Sequence, residues 1–348
     1  MSASQFLRLL FVKIGAIGDL IMMLPTIRQA RQDHPDAYIT LIVGKGLLPL
    51  AELIPEIDEL VPVDEQALYR GSVLKKLGAV LDTAVRLRWR RVDRVMIGHG
   101  DARYRVFARL VRAVRVDSWH TYGKRLLPVP GRLHANEYLR LYHGRDDDSI
   151  PSSLPYILEQ RLALTPDIAE RLPGQAWVAL APGGARNTVS DDRHRRWPVE
   201  HYVELAQRLL AASIPVVLTG GPQDEWVKPY FGTLPVLDLI AQTRLPQLVA
   251  LYQRTALVVT HDSGPLHLAG LAGCRRIALF GATNPSEKVQ TDLRTQVLWG
   301  GENLACRPCY DGHSYAKNCQ NIRCLAELSV DLVMHAIQRY LPLSSPQS

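Results

Sequence analysis

Leu7-Arg-Leu-Leu-Phe-Val12 runs directly into Lys13-Ile-Gly-Ala-Ile-Gly-Asp19, and on into Leu20, Met23, Leu24 and Ile27. The first six residues have the apolar density of a buried strand. The last four fall at i, i+3, i+4 and i+7, so they share one face of a helix. Between them, Gly15 and Gly18 permit a tight turn and a close approach of ligand to backbone. Strand, glycine turn and helix in that order open a parallel βα sheet. The turn is neither a GxGxxG fingerprint nor a P-loop.

The alternation continues outward from that unit. Tyr38–Val43, Leu60–Val63 and Val92–Ile97 read as further strands, with Asp19–Gln32 and Val73–Trp89 as helices. Periodicity fades between Asp146 and Pro173, a linker, and then restarts. Trp177–Ala181, Val216–Thr219, Val236–Leu239, Leu257–Thr260 and Ile277–Phe280 read as strands, with helical patterns at Val199–Ala212, Pro246–Arg254, Pro265–Ala272 and Val330–Tyr340. The expectation is an α/β chain of two doubly wound, Rossmann-like domains, 1–160 and 161–329, with a closing helix and tail over 330–348. Two such halves imply a cleft, with ligands at the carboxyl ends of the strands.

Composition narrows the class. The 348 residues suit two domains at ~150 residues each, and 47% apolar with 22% charged residues is ordinary globular usage. No run reaches the ~20 apolar residues of a membrane span. Met1 to Gln5 carries no signal-peptide pattern, so a cytoplasmic location is expected. Four of five cysteines crowd into Cys306-x2-Cys309-x9-Cys319-x4-Cys324. Four thiolates so spaced can hold a structural zinc or iron; unliganded thiols are the equal alternative. The net charge is +7, yet Arg86 to Arg115 alone holds ten arginines against Asp93 and Asp101. That stretch is either a solvated face or a surface for phosphorylated saccharide, anionic lipid headgroups or nucleic acid.

Four further turns fall at strand ends. Asp19 in the first turn is an ordinary helix cap, or a general base at the mouth of the cleft. In Ala181-Pro-Gly-Gly-Ala-Arg-Asn187, main-chain amides near Gly183 and Gly184 can cradle phosphate, with Arg186, Arg195 and Arg196 as cations. A solvated loop before a helix is the plainer reading. Gly221 and Asp224, in Thr219-Gly-Gly-Pro-Gln-Asp-Glu225, can meet a ribose or base, or cap a helix. In Thr260-His-Asp-Ser-Gly-Pro-Leu-His-Leu-Ala269, Asp262 and Ser263 end a buried strand, Gly264 opens a helix toward phosphate, and His267 lies one turn in. Phe280-Gly-Ala-Thr-Asn-Pro285 ends the next strand.

At these residues the chain resembles the ADP-heptose:lipopolysaccharide heptosyltransferases, which have the two-domain GT-B fold. The matches are Gly18-Asp19 with Leu24-Pro25, Ala181-Pro-Gly-Gly184, Arg196-Trp-Pro198 with Tyr202, Asp262-Ser-Gly264 with His267, and Gly281 with Pro285. Each is common alone; five in order over nearly the whole chain are specific. Cys306-Arg-Pro-Cys309 is similar to a stretch in the second inner-core enzymes of the family. Arg195 and Arg196 stand where the family often has a lysine, the loop Asn187 to Arg195 is longer, and Pro265 is a variation.

The resemblance implies inverting transfer from an ADP-sugar held by the C-terminal half to a lipid-anchored, anionic saccharide held by the N-terminal half. Asp19 would be the base, and Gly18, Arg103 and Arg105 would lie on the acceptor side. No DxD-like metal motif is obvious, so no catalytic cofactor is expected, and peripheral contact with the inner membrane is; nucleic acid is not. The alternatives are a transferase or epimerase for another nucleotide sugar, or a non-catalytic nucleotide-sugar-binding protein. A dehydrogenase lacks support, since the dinucleotide glycine pattern is missing.

Overall fold

A computed structural model describes residues 7–87, 90–119, 128–144, 153–186, 191–290, 292–310, 314–315, 319 and 321–341. Residues 145–152 of the expected linker, Arg88 and Trp89 at the end of the second helix, Asn187, and the tail 342–348 lie outside them. The chain divides into two compact units, Met1–Tyr156 and Ile157–Ser348.

In the first unit β1 (Arg8–Val12), β2 (Tyr38–Gly44), β3 (Glu59–Val63), β4 (Arg91–Ile97) and β5 (Arg112–Ser118) form one parallel sheet ordered β3-β2-β1-β4-β5. β1 is central, with Leu9 opposite Ile39 on one side and Arg94 on the other. A parallel strand covered on both faces must be apolar throughout, and Leu9–Val12 are all buried. Helix Ile17–Asp33 buries Leu20, Met23, Leu24 and Ile27, the face its sequence period marked. β5 escapes the sequence reading because Arg112, Val114 and Arg115 are exposed on this edge strand, which erases the apolar pattern.

The second unit repeats the plan. β6 (Val178–Ala181), β7 (Val216–Leu218), β8 (Leu237–Asp238), β9 (Leu257–His261), β10 (Arg276–Phe280) and β11 (Thr295–Trp299) are ordered β11-β10-β9-β6-β7-β8, each neighbouring pair parallel. Helix Val199–Ala211 and the closing helix Val330–Gln338 cover one face, burying Leu205, Leu209, Val333 and Ile337 in a common core. Trp197, 1% exposed, anchors that core through its indole N–H, which donates to the Leu328 carbonyl at 2.8 Å.

Strand order reverses between β1 and β4 in one sheet and between β6 and β9 in the other. Loops leave such a point in opposite directions and open a crevice at the carboxyl edge. A buried histidine sits at each. His99 Nε2 accepts the Ile14 N–H at 2.9 Å, tying the end of β4 to the end of β1. His261 Nδ1 meets the Tyr202 hydroxyl at 3.1 Å. Burial, then Lys13, holds His99 well below the ordinary imidazole range. Burial, then Arg196, pushes His261 down to about 3.

Both rings are therefore neutral in the native state, and the unfolded chain takes up more protons below an ordinary histidine pKa of about 6.5. Stability is fully present above that pH and falls as pH drops toward the folded values. Each histidine should cost its unit about 2 kcal/mol between pH 7 and pH 5. Denaturant unfolding at the two pH values checks this, and equal stability at both would contradict neutral burial.

Candidate active site

At the β1/β4 switch point, the loop after Val12 brings Lys13 and Asp19 together. Lys13 is buried; its ammonium donates to the Gly98 carbonyl at 2.9 Å, lies 3.7 Å from Asp19 Oδ2 and stands 5.2 Å from the Tyr138 ring centre. Burial lowers the Lys13 pKa and Asp19 opposes that shift. Asp19 Oδ2 also accepts the Ala16 N–H at 3.2 Å, so the capping role is real. Its side chain is still 37% exposed, which leaves a carboxylate edge open to solvent. Cap and candidate base are the same residue. Gly18 lies partly exposed in the same turn, and a Cβ at Gly98 would come within 2.2 Å of Met23 Cε.

Sequence reasoning passed over the neighbours of this pair. His99 stacks on Tyr104 with ring centres 3.7 Å apart, and the Tyr104 and Tyr69 hydroxyls lie 2.5 Å apart. The apolar strand end Ile97-Gly-His99 was the available signal. Tyr104 belongs to the short helical turn Ala102–Arg105, so Arg103 and Arg105 stand exposed at the carboxyl edge of β4.

At the β6/β9 switch point the centre is Asp262, 2% exposed. It accepts the Thr283 hydroxyl at 2.8 Å and lies 3.6 Å from Arg195. Burial would raise its pKa, but Arg195, Lys288 and His267 outweigh it and hold the carboxyl below its ordinary value. Arg195 also pairs with Asp192 at 2.5 Å, and its buried Nε has no hydrogen-bond partner among the described residues. Tyr315 stacks on His194 with centres 4.6 Å apart, and Tyr310 N–H donates to the Ala282 carbonyl at 3.1 Å. An anion offered here meets Arg195, Lys288 and His267 beside aromatic rings. Lys288 was missed because Pro285-Ser-Glu-Lys288 reads as an ordinary helix start.

Several expected ligand groups also serve the scaffold. Asp224, 7% exposed, spends one oxygen on the Gly184 N–H at 2.7 Å and the other on the Gly221 N–H at 2.8 Å. It braces the two glycine turns, and neither of those amides is left for phosphate. Gly183 is required by packing, since a Cβ there would lie 2.4 Å from Asp224 Cγ. Gly184 has φ +81°, a left-handed value that glycine adopts without strain. Arg196 Nε donates to the Gly184 carbonyl at 2.8 Å and its guanidinium pairs with Asp191, which also holds Arg186 at 2.5 Å. The Ser263 hydroxyl turns back to the His261 carbonyl at 3.2 Å rather than capping helix Gly264–Leu271. Pro265 supplies no N–H to that helix end, and the Leu266 N–H returns to the Ser263 carbonyl at 3.1 Å.

The arginine-rich stretch is not one open patch. Arg86 pairs with Asp82 at 2.9 Å, Arg90 with Glu59 at 2.8 Å, and Arg94 and Arg115 with Asp117 at 2.5 and 2.9 Å. Those carboxylates lie outside residues 86–115, so a linear charge count overstates the local field. The four cysteines are neighbours of unequal exposure. Cys306 is exposed, Cys309 and Cys319 are partly so, and Cys324 is buried under Gly281 and Gly301. Among the described residues no three Cys, His, Asp or Glu side chains gather to hold a metal ion. Burial, then the neighbouring Cys309, pushes the Cys324 thiol up to about 11.

The brace is testable. In Asp224→Asn the amide offers one acceptor oxygen and sets its own donors against a second N–H. The C-terminal unit should lose about 1–3 kcal/mol in denaturant unfolding. Undiminished stability with weakened ADP binding by calorimetry would make Asp224 a ligand contact instead.

The sequence profile of glycosyltransferase family 9 (heptosyltransferase) matches residues 159–319. Lipopolysaccharide heptosyltransferase 2 of Escherichia coli K12 is 24% identical over 302 residues, covering 80% of this chain and 84% of that protein. The crystal structure of a family 9 glycosyltransferase from Veillonella parvula superposes with a TM-score of 0.76 at 20% identity, covering 97% of this chain and 98% of that one. An iron-containing dodecameric glycosyltransferase of enterotoxigenic E. coli gives 0.62 at 13% identity, covering 98% and 77%. The likeness shows the fold, GT-B, for both units. Residues 159–319, in the C-terminal unit, thus match glycosyltransferase family 9 (heptosyltransferase), and heptosyltransferases at 22–25% identity align with about four-fifths of the chain, to which it is similar in fold throughout.

Proposed function

We propose that the protein transfers a heptose from ADP-heptose to a lipopolysaccharide inner-core acceptor, with inversion at the anomeric carbon. The observation that carries this reading is the pairing of chemistries at the two switch points. One edge presents a solvent-reaching carboxylate, Asp19, beside a buried lysine. The other gathers Arg195, Lys288 and His267 around the buried Asp262. The names of the relatives supply the sugar and the acceptor class.

The C-terminal unit holds the diphosphate of the donor and the N-terminal unit holds the acceptor. Asp19 takes the proton of an acceptor hydroxyl as that oxygen bonds to the anomeric carbon. The bond from that carbon to the diphosphate breaks on the opposite face, and ADP leaves. Lys13 favours the charged form of Asp19 before the transfer, since an ammonium 3.7 Å away stabilises a carboxylate. Negative charge grows on the diphosphate in the transition state, and fixed cations aimed at it are the electrostatic part of catalysis. Arg195 is the favoured diphosphate contact because it stands beside the buried Asp262 and, although paired with Asp192, keeps a buried Nε without a hydrogen-bond partner among the described residues. Arg103 and Arg105, exposed at the edge of β4, suit the anionic acceptor. The metal expectation keeps one support, the iron of the dodecameric neighbour; the thiols as placed do not form its ligand set, and no step here uses it.

Asp19→Asn keeps an oxygen for the Ala16 N–H and removes the basicity. The transfer rate should fall about 10²–10⁴-fold, with ADP affinity unchanged and the fold retained, although melting falls because the buried Lys13 loses its charge partner. Near-normal turnover by the folded variant would remove Asp19 from the mechanism.

A further inference from the structure

Helix Val73–Leu87 turns Thr83, Ala84 and Leu87 onto the core of the first unit, with Val80 packed beside them. Outward it carries Val73, Leu74, Leu77, Leu81 and Val85, exposed by 80%, 79%, 53%, 55% and 72%. Successive steps of four residues advance a helix by little more than one turn, so Val73, Leu77, Leu81 and Val85 form one oblique row roughly 18 Å long. Leu74 lies beside it. Single exposed apolar side chains are ordinary, but a contiguous row on one helix marks an interaction surface.

The charges bordering the row identify the partner. Lys75, Lys76, Arg86 and Arg70 at the end of the preceding helix are all exposed, and the same helix sets only Asp82 against them. Asp82 is paired with Arg86 at 2.9 Å. An apolar arc flanked by lysine and arginine is the pattern of a helix lying in a membrane interface. Two copies packed row to row about a two-fold axis would instead bring these cations against one another. No helix among the described residues is long and apolar enough to cross a membrane.

We propose that helix Val73–Leu87 anchors the protein to an anionic bilayer surface, its apolar row entering the boundary between headgroups and acyl chains while Lys75 and Lys76 meet lipid phosphates. The anchor stands whatever sugar nucleotide the enzyme uses. It also moves membrane contact away from the arginine-rich stretch, much of which is internally paired. The row then supplies binding that salt leaves largely intact, and the cations supply binding that salt screens.

The probe is sedimentation of the full-length protein with phosphatidylcholine vesicles, with and without phosphatidylglycerol. Wild type should bind the anionic vesicles, less strongly as salt rises. L77Q/L81Q should bind roughly tenfold more weakly or worse at every salt concentration, and K75E/K76E should lose binding mainly at low salt. These side chains point to solvent, so unchanged melting of both variants is expected. A tryptophan in Leu77→Trp should shift its emission to the blue on binding. Equal vesicle binding by wild type and L77Q/L81Q would overturn the proposal, as would no binding by wild type. A concentration-dependent dimer that the same glutamines dissolve, with no affinity for vesicles, would assign the row to a second copy and overturn it too.

Discussion

Asp262 lies almost wholly out of water and keeps its charge, and much of the C-terminal edge is arranged around that fact. A buried carboxylate without compensation would cost several kcal/mol or take up a proton. Here Thr283 donates to it, Arg195 stands 3.6 Å away, and Lys288 and His267 add to the positive surroundings. The compensation has a second effect. Cations held in place by a buried anion need little reorganisation when a diphosphate arrives or when its charge grows. Preorganised charge of that kind is usually the largest single contribution to catalysis.

The N-terminal edge solves the converse problem. Lys13 is the buried charge there, and Asp19 is the group that reaches solvent. Lys13 donates to the Gly98 carbonyl at the end of β4, so the switch point itself fixes the ammonium that faces Asp19. Each edge therefore pairs a buried ion with a more exposed one of opposite sign. The glycine turns serve this arrangement chiefly by packing: Gly183 gives way to Asp224, Gly98 to Met23, and Gly281 to Cys324.

Much of this was legible in the sequence because buried parallel strands and glycine turns leave local patterns. β1, β2, β9 and β10 are apolar runs, Asp262 stands directly after β9, and Asp19 opens the helix after the β1 turn, where ligand groups of doubly wound sheets belong. What stayed hidden depends on distant partners. The arginines from Arg86 to Arg115 looked like a free patch because Glu59, Asp82 and Asp117 lie outside the stretch. Asp224 read as a ribose or base contact or a helix cap; the cap to Gly221 is local, whereas its bond to the Gly184 N–H, 40 residues away in sequence, left no signal. The cysteine spacing was visible, whereas the burial of Cys324 and the exposure of Cys306 were not. The helical period of Val73–Leu87 was plain, but period alone does not say which apolar residues find a core and which face water.

The central claim is that one edge accepts a proton while the other receives a nucleoside diphosphate leaving a sugar. Its most direct measurement is product analysis with ADP-, UDP- and GDP-linked sugars and an inner-core lipopolysaccharide acceptor, by mass spectrometry and by NMR of the new linkage. The account predicts that ADP-heptose alone supports efficient transfer, with release of ADP and inversion at the anomeric carbon. Efficient transfer from a UDP- or GDP-sugar, or retention of configuration with ADP-heptose, would contradict it.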